Sequence, residues 1–176
     1  MNKLSRLLDY FGEVVVVDSE YRSQGDGTHE VRCVCAIELG GGREHRVWVD
    51  GSTVCPYPVD DQSLIVAHYA SAELVTHDSL GWPRPFNVLD TCVEFSAVTA
   101  GKRRRDQGRG LVDALMYFNL PHLDHHEKDE MQELALADRR NDMYSSEERS
   151  ALLGYCWSDV AGAVRLLGVL EGYLCP

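Results

Sequence analysis

Residues 14–20 read VVVVDSE, and no other stretch does more to limit what this chain can fold into. Four consecutive β-branched residues make the strongest strand segment in the sequence, and the two acids that follow stand one residue apart. Side chains at i and i+2 of a strand point the same way, so a strand that continues through Glu20 projects Asp18 and Glu20 from one face. Two anions held side by side repel unless something positive sits between them. If the strand stops at Val17 instead, both carboxylates are simply solvated, and the rest of the chain has to decide between the two.

The 176 residues suit one domain, residues 1–176, with a complete core. After the valines, GDGTH (Gly25 to His29) is a turn signal. VRCVCAIEL and EHRVWVD, split by three glycines at 40–42, are two more strand-like runs, so the first part reads as an antiparallel three-stranded meander. SLIVAHY (Ser63 to Tyr69) is a short buried strand. The ASAELVTHDSLGW that follows predicts a helix with Ala72, Leu74, Val75 and Leu80 on its inner face, stopped by Gly81 and Pro83. FNVLDTCVEF then supplies a further strand, which makes a crossover unit.

The second half is helical. Gly110 to Leu120 forms one helix before Pro121, and HHEKDEMQELALADRR puts Met131, Leu134 and Ala135 at helical spacing, with Met116 a further core candidate. The last helix runs from about residue 146 to about residue 172, with Ser145 and Glu148 as a capping box. The expected fold class is α/β, a mixed five-stranded sheet flanked by helices.

The formal net charge of -11 excludes one class of function. A protein that grips nucleic acid mainly by neutralising phosphates is basic, so any nucleic-acid chemistry here has to run through bound cations and a small basic patch. The one dense positive run, GKRRRDQGR with Lys102, Arg103, Arg104, Arg105 and Arg109, reads first as a solvated loop. HLDHHEKDE, with His122, Asp124, His125 and His126, is a weak metal motif. Adjacent histidines on a helix diverge by about 100°, so a solvated helix start is the better account. Six cysteines (Cys33, Cys35, Cys55, Cys92, Cys156, Cys175) show no CxxC spacing and read as reduced, buried thiols. No uninterrupted apolar run of about 18 residues occurs, and the first residues carry acids, so the expected location is cytoplasmic, with no membrane partner.

Against that background three acids stand out. On the last helix Tyr155 and Asp159 are four apart and share a face with Leu152, Ala163 and Leu166, which puts an acid in an apolar stripe. Such an acid is costly unless it is paired or holds a metal. Glu73 is the second, early in the helix after SLIVAHY, where its plainest role is to favour a helix N-terminus. Asp90 in NVLDT is the third.

Taken in order, DSE at the end of the first strand, Glu73 after a strand-to-helix turn, and YCWSD on a late helix resemble the three exonuclease motifs of the DEDD superfamily, tyrosine subclass. More widely, VAHYASAEL, NVLDT, GLVDALMYFNLPHLDHHEKDEMQELA and YSSEERSALLGYCWSDV look like the N-terminal 3′-to-5′ proofreading domain of phage- and plasmid-borne family A DNA polymerases. The resemblance runs from about residue 13 to about residue 170. It implies an RNase H-like fold and removal of nucleoside monophosphates from the 3′ end of single-stranded DNA with two divalent cations, Mg2+ or Mn2+. By that resemblance Asp18, Glu20 and Asp159 hold the first ion, Asp18 bridges to the second, Glu73 reaches metal through water, and Tyr155 orients the attacking water. Tyr69, Ser19, Tyr21 and His68 fall along the substrate, and a polymerase domain or subunit is the implied partner. RNA trimming similar to ribonuclease D is the alternative within the same chemistry.

The second motif departs from the family pattern. HYASAE places Tyr69 where that pattern has Asn, Ala72 where it has an aromatic and Glu73 where it has Asp. Asp90 matches a recurrent Asp-Thr pair downstream and ranks below Glu73. A nonenzymatic nucleic-acid-binding or scaffold module of the same fold is the rival from another class. The altered second motif favours it, and the joint presence of Asp18, Glu20, Tyr155 and Asp159 opposes it.

Overall fold

The valine run is the first half of a strand, β1, that spans Glu13–Ser23 and carries Asp18 and Glu20 well inside it. The computed structural model describes residues 5–102, 108–122 and 125–174, with the side chains of all but Ser5 and residues 125–128. β1 pairs antiparallel with β2 (His29–Glu38), and β2 pairs antiparallel with β3 (Arg43–Trp48), which is the expected meander. On its other side β1 runs parallel to β4 (Ser63–Ala67), and β4 runs parallel to β5 (Asn87–Asp90). The result is a mixed five-stranded sheet in the order β3-β2-β1-β4-β5.

Helices surround it. α1 (Ser5–Tyr10) precedes β1, α2 (Ala70–Leu80) joins β4 to β5, and α3 (Thr91–Val98) follows β5. α4 (Leu111–Tyr117), α5 (His125–Leu136), a short 3-10 turn (Asn141–Met143) and α6 (Ser146–Leu170) complete the chain. The expected capping box is present: Ser145 Oγ accepts from Glu148 N at 3.2 Å, and the Glu148 carboxylate accepts from Ser145 N at 2.8 Å.

The strict alternation of β1 sorts the core into two layers. Val14 and Val16 join Cys33, Cys35, Leu64 and Val66 against α6, through Leu152, Cys156, Val160, Ala163 and Leu166. Val15 and Val17 join Val34, Ile65 and Ala67 on the opposite face, beneath Val49, Tyr57, Ala70 and Trp82. A central strand buried on both faces needs apolar residues at every position, which is why the sequence there reads as an unbroken valine run. α6 is, among the described residues, the one helix long and apolar enough to cross a membrane by length and composition. Here its apolar stripe is the core of the domain. Gly162 lets α4 approach it, since a Cβ there would lie 3.1 Å from Leu115 Cδ1 and 3.3 Å from Leu111 Cδ2.

Two expectations fail on packing. α2 does not bury Ala72, Leu74, Val75 and Leu80; its buried residues are Ala70, Glu73, Thr76 and His77, and Leu74 is exposed. This inner face is polar because each group has a partner. His77 donates from Nδ1 to Pro83 O at 2.7 Å, which leaves Nε2 to accept from Tyr57 Oη at 2.9 Å. Met116, expected in the core, is 49% exposed, because α4 turns Leu111, Val112, Ala114 and Leu115 inward instead.

One break in the sheet was not legible either. Glu20 faces Cys33 and Tyr21 faces Val31, so Arg32 is left over as a β-bulge. Its side chain is fully buried and donates to Ala135 O at 3.2 Å, Ala137 O at 2.9 Å and Asn141 Oδ1 at 2.7 Å. The guanidinium thereby ties the C-terminal end of α5 to β2.

Candidate active site

The site exists because β1 is longer than its parallel neighbour. Val16 is the last residue of β1 paired with β4, opposite Val66, so from Val17 onward β1 has β2 on one side only. β4 ends at Ala67 and the chain turns through His68 and Tyr69 into α2, which swings Glu73 into the gap. The opening lies at the C-terminal ends of the parallel strands β1, β4 and β5, where open α/β sheets place their ligands.

The turn is held by Asp90. Its Oδ1 accepts from Tyr69 N at 3.1 Å and from Cys92 N at 2.8 Å, and its Oδ2 accepts from Ala70 N at 3.0 Å. One carboxylate thus caps the starts of both α2 and α3, which gives Asp90 a structural role beside the cleft. Tyr69 adopts φ 66°, a left-handed conformation that Asn occupies more easily than a bulky residue. His68 bridges the opposite rim, with Nδ1 3.0 Å from Thr91 Oγ1 and Nε2 2.8 Å from Arg109 O.

A cleft of about 530 Å³ results, and the nine residues singled out in the sequence all line it: Asp18, Ser19, Glu20, Tyr21, His68, Tyr69, Glu73, Tyr155 and Asp159. Leu111 from α4 and Gln132, Ala135 and Leu136 from α5 also line it. These four were not singled out as site residues, since apolar and amide side chains on helices carry no chemical signature. Among the other sequence candidates, His122 is exposed and bonds Leu120 O at 3.0 Å, and Lys102 bonds Val98 O at 3.3 Å. Arg103, Arg104, Arg105, Asp124 and Cys175, and the side chains of His125 and His126, lie outside the described residues.

The electrostatics of the cleft are one-sided. Asp18 Oδ2 is buried with no hydrogen-bond partner among the described residues. Burial, then the charges of Asp159, Glu20 and Glu73, push the Asp18 carboxyl well above its ordinary range. Glu73 is pushed up to about 7 by burial, against hydrogen bonds from the Ser19 side chain and backbone that pull it down. Tyr155 is buried, and its phenol is raised by that burial and by Asp159, Glu20 and Asp18, with a hydrogen bond to Asp159 adding to the effect. It therefore keeps its proton at neutral pH. Ligand atoms of Asp18, Glu20 and Cys156 lie within 4.8 Å of one another, and the Cys156 thiol donates to Asp18 O at 3.2 Å.

A hydrogen-bonded chain runs outward from Glu73. Ser19 Oγ lies 3.0 Å from Thr76 Oγ1, which lies 3.3 Å from His29 Nδ1. With Glu73 accepting from Ser19, Thr76 donates to Ser19 and His29 donates to Thr76. His29 in turn stacks on Tyr21, with ring centroids 3.6 Å apart and planes 7° from parallel.

Chemically, carboxylates gathered about a buried, orphaned oxygen cannot all ionise without a counter-charge. Hard oxygen donors in this number suit a divalent cation of the magnesium or manganese kind. The donor set fits such ions.

A mixed five-stranded sheet of this order, flanked by helices and opening at the ends of its parallel strands, is an RNase H-like fold. No protein-family model and no curated protein matches the sequence. Solved structures do. Brucella melitensis NrnC with bound Mg2+ is similar at TM-score 0.58 and 18% identity, over 94% of this chain and 75% of that one. The Aedes aegypti Nibbler EXO domain is similar at TM-score 0.55 and 12% identity, over 98% and 91%. Escherichia coli RNase D, an exoribonuclease involved in structured RNA processing, is similar at TM-score 0.54 and 16% identity, over 97% of this chain and 43% of that one. NrnC has also been solved bound to pGG. At these identities the likeness establishes the fold.

Proposed function

We propose that the protein is a metal-dependent 3′-to-5′ exonuclease that hydrolyses the terminal phosphodiester of a single-stranded nucleic acid. The observation that carries this reading is Asp18, whose buried Oδ2 has no hydrogen-bond partner among the described residues and sits among Glu20, Glu73 and Asp159. Asp18, Glu20 and Asp159 would hold two divalent cations, Mg2+ or Mn2+, with Glu73 reaching them through water. When bound, such ions supply a nucleophilic water at neutral pH and stabilise the leaving 3′ oxygen. That a similar fold has been solved with Mg2+, and again with pGG, supports the assignment.

The chain's own residues do the rest. Tyr155 holds its proton too firmly to act as a base, so its hydroxyl orients the attacking water by hydrogen bonding. Water oxygen bonds to phosphorus, the bond to the 3′ oxygen breaks, and that oxygen leaves with a proton as the hydroxyl of the shortened strand. The freed unit is a nucleoside 5′-monophosphate. Tyr69, Leu111 and Leu136 give the cleft apolar and aromatic walls, which suit bases better than phosphates.

The test is digestion of 5′-labelled single-stranded DNA and a matching RNA with magnesium or manganese, against a chelated control and Asp18→Ala. A ladder that shortens from the 3′ end, needs metal and vanishes in the variant is the expected result; cleavage retained in Asp18→Ala would sink the assignment. DNA proofreading, and a polymerase as partner, rest on the sequence resemblance alone. RNA trimming fits the same site equally, since RNase D shares the fold, and the relative rates on the two substrates decide. Binding without cleavage of either would make Tyr69 and Glu73 marks of a module that has lost turnover.

A further inference from the structure

We propose that the Tyr21–His29 ring pair is a nucleobase subsite of this cleft, a prebuilt platform on which the base of the bound nucleotide stacks. The identity of the ligand rests on the exonuclease reading; the platform itself rests on geometry.

Tyr21 directly follows Glu20, and the bulge in register falls between them. A bulge bends the strand and re-aims the side chains beyond it, and here it brings Val31, not Arg32, opposite Tyr21. The phenol ring lies in the cleft wall next to the acids. His29 covers one face of the ring in parallel contact, 3.6 Å between centroids.

His29 is itself fixed. Its backbone N donates to Ser79 Oγ at 2.8 Å, its Nδ1 meets Thr76 Oγ1 at 3.3 Å, and it pairs in register with Ser23. Both oxygens that hold it belong to α2, the helix that carries Glu73. Burial lowers the His29 pKa, so the imidazole is neutral at neutral pH and the stack is two uncharged rings.

A ring already held in place loses little freedom when a third ring joins the pile. Every base has a π-face, so such a platform is tolerant of sequence but requires an unpaired base. The same hydrogen-bonded chain that ends on Glu73 begins on His29, which sets the platform at a fixed station relative to the acids. The ligand class is therefore a single-stranded nucleotide end whose base is free to leave its own stack.

The experiment compares a short 5′-labelled oligonucleotide ending in an ordinary base with its twin ending in an abasic sugar. Binding to the full chain is followed by fluorescence anisotropy with calcium in place of magnesium. Tyr21→Leu should weaken binding of the ordinary end by about tenfold and of the abasic end far less, while Tyr21→Phe keeps wild-type affinity. His29→Ala should show the same base dependence at roughly a threefold loss. An equal penalty on both ends, with the variants' circular dichroism unchanged, overturns the platform and leaves the exonuclease reading standing. Failure of the wild type to bind either oligonucleotide overturns the exonuclease reading and the nucleobase subsite with it.

Discussion

Glu38 and Asp18 are carboxylates on two neighbouring strands of one sheet, and the fold treats them in opposite ways. Glu38 is 1% exposed on β2, yet Arg43 Nε lies 3.0 Å from its Oε2 and His45 Nε2 lies 2.7 Å from its Oε1. Burial alone would raise its pKa, but the bonds from His45 and Arg43 bring it below the ordinary value. Asp18 on β1 is pushed the other way by burial and by three further acids. The chain can supply a buried acid with cations, and does so where the acid is structural. At Asp18 it has gathered acids instead, and the compensation is left to something that binds.

The strongest way to break that contrast is Asp18→Ala, which should cut metal-dependent 3′ cleavage by roughly a thousandfold, measured as single-turnover rate, while the fold survives. Next is pH. The folded pKa of Glu73, about 7, lies above its unfolded value of 4.5, so its contribution to stability is fully present below about pH 4.5 and is lost as pH rises through 7. That gap corresponds to about 3 kcal/mol. Urea titrations in chelator at several pH values should show the loss, Glu73→Gln should reduce it and leave the part due to Asp18, and a flat wild-type profile would refute it.

A smaller effect sharpens the comparison by its sign. In metal-free protein Asp18→Asn should stabilise by about 1–2 kcal/mol, because it removes a charge repelled by its neighbours. Glu38→Gln should destabilise by about the same amount, because it weakens charge-assisted bonds. Shifts of equal sign in thermal denaturation would show that the two acids are not opposites. The least effect is at the rim, where Tyr69→Asn should stabilise by about 1 kcal/mol by relieving the left-handed backbone at φ 66°. No gain in denaturant midpoint would mean that contacts of the tyrosine ring outweigh the strain.

What the sequence disclosed follows from which forces leave a periodic or chemical trace. The valine run, the glycine-split meander, the Ser145 to Glu148 cap and the carboxylates were legible because burial, turn chemistry and charge each write a recognisable pattern. α2 was misread because its inner face is Glu73, Thr76 and His77, polar groups buried by virtue of partners more than two residues distant in sequence. Hydrophobic periodicity cannot register such partners. Nor can it register that β4 stops where β1 continues, which is what opens the cleft, or that Arg32 is squeezed out of register. The aromatic stack joins Tyr21 to His29 across a hairpin, so neither residue predicts it alone.

Cys156 puts a sulfur beside the acids of the cleft. Its sulfur lies within 4.8 Å of Asp18 and Glu20 donor atoms, close enough to give a soft metal a thiolate anchor in a site otherwise built of oxygen. Burial raises its pKa well above the ordinary thiol value, and bonds to Cys33 and Cys35 and the charge of Asp18 raise it further. A thiophilic ion such as cadmium would have to expel that proton into a pocket already crowded with negative charge before it gained a bond. A thiol that keeps its proton is a poor ligand, so the donors left to an ion in this cleft are the carboxylate oxygens.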